Sequence, residues 1–164
     1  MDKKSSLHVC KQLDDLEIDY EMIHHPVAHT TELADKYIEG IDGVRTKTLL
    51  LTNRKKTQYY MLIMDDEKRL DLKKFAEIVE TGRIQFANDE GLMKKIGLPA
   101  GLVSVFGLEF NEEKDIKVYY DREIVDEERQ SFHPHDNTKT IFLSTEGTFK
   151  YIESLGLEVQ VIDL

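Results

Sequence analysis

Apolar residues in this chain come in short blocks, each the length of one strand or a few helical turns, with polar clusters between them. Behind Ser5 and Ser6, both good helix caps, Leu7, Cys10, Leu13 and Leu16 recur at helical spacing and predict a first helix. YEMIH reads as a short strand, after which Thr30 or Thr31 opens a second helix, TELADKYIEG, that Gly40 ends. KTLLLTN and QYYMLIM flank the turn-like RKKT and make the best hairpin signal in the chain. Asp71 can cap LKKFAEIVE, with Leu72, Phe75, Ala76 and Val79 on one face and Gly82 closing it. RIQFA predicts another strand, and Asn88 a helix that runs through Ile96 to Gly97. After the GLPAG loop, short strands are expected around LVSVFG and DIKVYYD. TKTIFLS is a strand, STEGTFKYIESLG a helix from a Ser144 cap to Gly156, and LEVQVIDL a final strand.

Helices and strands interleave without a strict βαβ period, so the expected fold is α+β (mixed α/β). One domain over residues 1–164 should hold a mixed, twisted sheet with flanking helices. A chain of 164 residues can bury a core without disulfides or metals. No apolar run approaches the ~20 residues of a membrane span, and an acidic second residue with no apolar h-region speaks against a signal peptide. A lone cysteine, Cys10, excludes an intrachain disulfide and a cysteine-cluster zinc site, so the expectation is a reduced, cytoplasmic protein.

The net charge of −10 argues against general affinity for nucleic acid, but it is unevenly spread. Residues 45–95 hold 12 basic and 8 acidic residues, against 10 and 24 elsewhere. A mildly basic middle permits a local phosphate contact; by itself it reads as a solvated face.

The chemistry-bearing clusters are few. No Gly-rich phosphate loop, HExxH or GxSxG is present, which leaves nucleotide-dependent chemistry, a helical zinc site and a serine nucleophile without support. HHPVAH (residues 24–29) and the pair His133/His135 invite a metal reading, but adjacent histidines on a strand point to opposite faces and no ligand spacing converges. Cys10 reads as a buried, inert thiol. Lys47 begins an otherwise apolar strand, either as a snorkelling edge lysine or as a cation beside a site. Gly97 and Gly101 can close a helix and a turn, or let a substrate approach the main chain. FHPHDNT, residues 132–138, can be an Asx-rich turn or a pocket wall.

Taken in order, HHPVAHTTELA, VRTKTLLL, DLKKFAE, GLPAGLVSVFGL, FHPHDNTKTIFLS and LGLEVQVIDL resemble the YbaK/ProRS-associated family of editing domains over nearly the whole chain. The resemblance is greatest to its freestanding prolyl-tRNA editing deacylases, which remove alanine from tRNA for proline. It implies that Lys47, His133 and Gly101 carry the reaction: a strand lysine near the ester, the histidine of an F-H-P-x-D-N segment, and the loop glycine that places the scissile carbonyl. It also implies a substrate pocket lined by His25, Pro26, Thr30, Thr48, Gly97 and Asn137. Neither cofactor nor metal is implied. The implied partner is the acceptor end of mischarged tRNA, with prolyl-tRNA synthetase as a further one. Three positions depart from the family pattern. Pro99 comes one place early in the G-x-x-P-G loop, Thr48 stands where Asn is common, and Val27 replaces a second proline. A non-catalytic tRNA-end or synthetase-binding module, or a deacylase for cysteinyl- or seryl-tRNA, are the alternatives.

Overall fold

The computed structural model describes residues 2–164. Its helices are α1 (Ser6–Asp15), α2 (Thr31–Tyr37), α3 (Leu72–Ile78), α4 (Asp89–Lys95), α5 (Arg122–Val125) and α6 (Thr145–Ser154). Its strands are β1 (Tyr20–His24), β2 (Val44–Asn53), β3 (Tyr59–Asp65), β4 (Ile84–Phe86), β5 (Lys117–Asp121), β6 (Arg129–Phe132), β7 (Lys139–Ser144) and β8 (Val159–Ile162). No described helix is long and apolar enough to cross a membrane.

The helix starts follow from local chemistry. Ser5, Thr30, Asp71, Asn88 and Ser144 each accept a bond from a main-chain N–H in the first turn that the helix itself cannot satisfy. Three local expectations need correction. The stripe of α1 that enters the core is Ser6, Val9 and Leu13, while Leu7 is 70% exposed and Cys10 half-buried. After α3 the left-handed position falls on Glu80 (φ 56°), not on Gly82. LVSVFG forms no strand: Ala100–Leu102 and Val105–Phe110 are two 3-10 turns, the second capped by the Ser104 hydroxyl. Neither β6 nor α5 was expected from the pattern.

The strands form one sheet in the order β1-β7-β6-β2-β3-β5-β8, with β4 also paired to β2. Parallel pairs (β2–β6, β3–β5, β5–β8) sit among antiparallel ones, so the sheet is mixed, as expected. Central strands are buried on both faces, and their alternation sorts side chains between two clusters. Met61 and Ile63 join the larger one beneath α1, α4, α6 and the 3-10 turns. Leu62 and Met64 join the smaller one beneath α3, where Phe75 meets Tyr60 and Tyr119 edge to face. Inside the larger cluster the polar groups are paired: Tyr120 donates to Gln130 Oε1 at 2.7 Å, and the Gln130 amide donates to the Ile124 carbonyl and Thr145 Oγ1.

Gly43 delivers the chain into β2 at φ 142°, and an added Cβ would sit 2.9 Å from the Phe142 ring and 3.3 Å from the Arg129 carbonyl. Gly43→Ala is therefore expected to destabilise the fold by about 1–3 kcal/mol, through strain and overpacking together. Thermal unfolding should show this as a melting temperature lower by several degrees, roughly 2–4 °C per kcal/mol for a chain of this size.

Candidate active site

The site begins with the uneven pairing of β2. On one side β3 accompanies it from Thr46 to Thr52. On the other, β6 pairs only with Val44 and Arg45, and β4 only with Leu51 to Asn53. Between them the edge of β2 has no strand opposite. The Leu50 carbonyl accepts from Ala87 N on that side, whereas the Arg45 carbonyl and Asn53 N–H turn toward β3 and its flanks. Period-two alternation then directs the Thr48 peptide N–H and C=O into the gap.

A cavity of about 750 Å³ occupies the gap. Thr46 to Leu49 form its floor, Pro99 to Ser104 one wall, and Ser131 to His133 with His135 to Asn137 another. Ala28 to Thr30 and Asp35 lie at its rim. Of the residues the sequence nominated, Lys47, His133, Gly101, Thr30, Thr48 and Asn137 line it. His25, Pro26 and Gly97 do not. His25 stands behind the wall, Nε2 2.9 Å from Thr140 Oγ1 and its ring stacked on Tyr37, with Nδ1 against the Pro26 carbonyl. Gly97 (φ 63°) ends α4 beside the Lys4 side chain.

Each lining group has a definite posture. Lys47 shares the β2 face of Leu49 and Leu51, is half-buried, and its ammonium donates to the Lys68 main-chain carbonyl. It does not snorkel away, and among the described residues no carboxylate pairs with it. His133 Nδ1 lies 3.1 Å from the Lys139 carbonyl. A carbonyl only accepts, so Nδ1 carries the proton and the other ring nitrogen is left to the cavity. The 133–138 turn is held from within by Asp136, whose carboxylate accepts from Thr138 N at 2.8 Å and meets Lys139 at 3.2 Å. Burial alone would raise that carboxyl, but the Thr138 and Lys139 bonds hold it below the usual range. From outside, His25 N and Ala28 N donate to the Thr138 and Asn137 carbonyls and tie the turn to the chain beyond β1. Thr30 Oγ1 is engaged as the cap of α2, accepting from Leu33 N at 3.1 Å. At Gly101 nothing lies within 4 Å of where a Cβ would stand and φ is not positive, so neither packing nor strain asks for glycine there.

Two buried groups stand out, one lining the cavity and one next to Asp35, which also lines it. His135 is 6% exposed and backbone-strained (φ 62°), neither ring nitrogen has a partner, and Phe106 and Phe110 pack against it. Burial pushes its pKa down to about 4, the Glu109 charge opposing this and His8 adding to it. Asp66, in the turn after β3, has a buried Oδ2 without a partner. Burial first, then the Asp35 carboxyl and the charges of Asp65 and Glu67, push it up to about 8. The sequence marked His135 only as half of a metal signal and Asp66 not at all; their burial is the work of the tertiary surroundings. Among the described residues no three His, Cys, Asp or Glu side chains converge as a metal ligand set.

The model of the aminoacyl-tRNA editing domain matches residues 24–151 of this chain. The prolyl-tRNA editing protein ProX of Acetoanaerobium sticklandii is 32% identical over 165 residues, covering 100% of both chains. The prolyl-tRNA synthetase associated domain-containing protein 1 of Bos taurus is 26% identical over 150 residues, 89% of this chain and 87% of the relative. A crystal structure of a candidate trans-editing enzyme for prolyl tRNA synthetase superposes with a TM-score of 0.75 at 18% identity, over 97% of this chain and 95% of that one. At that identity the superposition bears on the fold alone, and it matches the mixed sheet described above.

His135 yields a pH signature. Its folded pKa of about 4 lies below the ordinary histidine value, so between the two the unfolded chain binds a proton that the folded chain refuses. Stability from this residue is complete above about pH 6.5 and is lost as pH falls toward 4, by roughly 3 kcal/mol in all. Asp66 acts in the opposite sense, so the difference between proteins isolates His135. Denaturant unfolding from pH 7 to 4.5 should show a shallower fall in His135→Asn, a residue that tolerates the left-handed backbone, than in the wild type.

Proposed function

The chain belongs to the aminoacyl-tRNA editing domain family and is a deacylase of the trans-editing kind, and on that premise we propose that it hydrolyses alanyl-tRNA for proline. The observation that supports the reading most is the meeting of Lys47, Thr48, Gly101, His133 and Asn137 around one cavity, because these come from three separate parts of the chain.

The aminoacyl ester is already activated, so the enzyme has to position water and favour the charge that develops on the carbonyl oxygen. It does not need a nucleophile of its own. The Thr48 N–H, with no strand opposite, can receive that oxyanion, and the Gly101 segment lines the cavity beside it. Gly101 has no internal reason to be glycine, and a substrate brought against the bare main chain supplies one. Lys47 provides a compact positive charge for the ester or the terminal phosphate. The free nitrogen of His133 accepts from a ribose hydroxyl or the α-amino group, and the Asn137 amide holds the other side. Attack by water breaks the bond between the carbonyl carbon and the ribose oxygen, and alanine and intact tRNA leave.

Selectivity sets the size of the task. A synthetase site shaped for proline rejects the smaller alanine by only ~1–3 kcal/mol, so a second site that admits alanine and excludes proline supplies the rest. At about 750 Å³ the cavity far exceeds an alanyl group and takes the terminal adenosine too. The sieve is then local: the braced 133–138 turn forms the wall that a pyrrolidine ring would strike. The protein acts on the acceptor end of tRNA in the cytoplasm, with prolyl-tRNA synthetase as a partner through shared substrate.

Purified protein is expected to turn over alanyl-tRNA for proline at catalytic concentrations, faster than cysteinyl- or seryl-tRNA, and to spare prolyl-tRNA. Binding without turnover would instead mean a tRNA-binding module. Lys47→Ala should slow deacylation about tenfold or more, through loss of a charge-assisted contact of ~1.5–3 kcal/mol. The circular dichroism of that variant should be unchanged. Lys47→Arg should rescue only in part, since a planar fork does not reproduce a compact ammonium. Exhaustive chelation should leave the rate unaltered, and a large loss restored by zinc would overturn the metal-free mechanism.

A further inference from the structure

We propose that Lys68, a residue outside the cavity, is a positioning residue that aims the Lys47 ammonium; the inference rests on the role given to Lys47 above. Lys68 touches two places at once. Its main-chain carbonyl accepts from Lys47 Nζ. Its own ammonium donates to Asp121 Oδ2 at 2.8 Å, Glu123 Oε2 at 2.7 Å and the Leu164 main-chain oxygen at 3.1 Å. Those three acceptors match the three donors of an ammonium, which has no bond left unmade.

The Asp121 side chain is only 2% exposed, sits at the end of β5 and accepts from Glu123 N, so Lys68 grips a fixed part of the frame. Burial would favour the neutral amine, but Asp121 and Glu123 more than offset this and hold the Lys68 pKa above its ordinary value. The turn between the two contacts is short and braced. Asp66 N donates to the Arg45 carbonyl at 2.8 Å, Glu67 N to Asp65 Oδ1 at 2.9 Å, and Lys68 N to the Asp65 carbonyl at 3.1 Å. These main-chain bonds fix the start of the turn, and the Lys68 side-chain anchor fixes the end from which its carbonyl projects.

Lys47 needs such a fixture. A lysine has four flexible bonds and a charge that satisfies itself in any water, and no carboxylate among the described residues holds this one. A carbonyl is the suitable partner, since it accepts one N–H and neutralises none of the charge meant for the substrate. An acid in its place would compete with the ester or phosphate.

The test compares deacylation of alanyl-tRNA by Lys68→Met and by the double variant Lys68→Met/Asp121→Asn, which avoids leaving a buried carboxylate without its cation. Melting temperatures are measured in parallel. If Lys68 aims Lys47, the folded double variant loses about fivefold or more in kcat/KM, with kcat and KM moving in the same proportions as in Lys47→Ala. In the Lys47→Ala background the same replacements then change the rate by less than about twofold, because the cation they aim is gone. Lys68→Arg, which keeps the anchor to both carboxylates, recovers most of the rate. Wild-type kcat/KM in the folded double variant, or an equal loss in the Lys47→Ala background, overturns the inference while leaving the deacylase reading intact. Full activity of Lys47→Ala itself removes Lys47 from the reaction, and this proposal with it.

Discussion

Everything at the site depends on one strand being paired unequally along its two edges. β2 is ten residues long, and on its β3 side nearly all of it is laddered. On its other side the short strands β6 and β4 take only its two ends. Backbone N–H and C=O groups inside a protein are almost always paired, so an unpaired stretch in mid-sheet calls for a cause. Here the two halves of the sheet share β2 and separate beside its middle, and the cavity fills the separation. Solvent reaches Thr46 to Leu49, which are half-buried, whereas Leu50 and Leu51 just beyond them are buried.

The same strand divides the core. Its even positions look toward the larger cluster, which Leu50 joins, and its odd positions toward the smaller one with Leu49 and Leu51. Lys47 follows the odd positions. It emerges beside the apolar layer under α3, and the Lys68 carbonyl, in the turn after β3, accepts from it there. Side-chain alternation, strand pairing and the placement of the cation are thus consequences of a single register.

Much of the fold was legible because it is written in local chemistry. The hairpin at Arg54–Thr57 and the five helix caps depend on residues within a few positions of one another, and each expected cap makes its bond. LVSVFG was misread because Val105 and Phe106 are fully buried, and an apolar run of that length fits a strand as well as a 3-10 turn. β6 escaped notice because RQSF alternates weakly and owes its burial to neighbours on both sides. At the site, types such as Lys47 in an apolar strand and the histidine of FHPHDNT stood out by composition. Their partners did not: Lys47 and His133 both bond to main-chain carbonyls, and a carbonyl is present at every position, so no residue type announces it. Gly97 looked equivalent to Gly101 by sequence, yet one ends a helix and the other faces the cavity, a difference only tertiary structure makes.

Unsatisfied polarity gathers at the cavity and its border. Elsewhere among the described residues the buried side-chain polar atoms are paired, as in the Tyr120–Gln130–Thr145 network. The buried side-chain atoms without partners belong to His135, which lines the cavity, and to Asp66, whose neighbour Asp35 does. The Thr48 peptide adds main-chain groups with no strand opposite. Leaving a buried polar group unpaired costs about 1–3 kcal/mol, a sizeable share of the 5–15 kcal/mol that holds a domain folded. Folding alone would favour filling such a gap with a longer β6 or an apolar side chain at 135. A gap kept open instead leaves the Thr48 main-chain groups fixed by the β2–β3 ladder yet free to bond a ligand, which would meet donors that need little reorganisation. A substrate activated beforehand asks for no nucleophile, and of the two serines that line the cavity Ser104 is engaged as the cap of the second 3-10 turn.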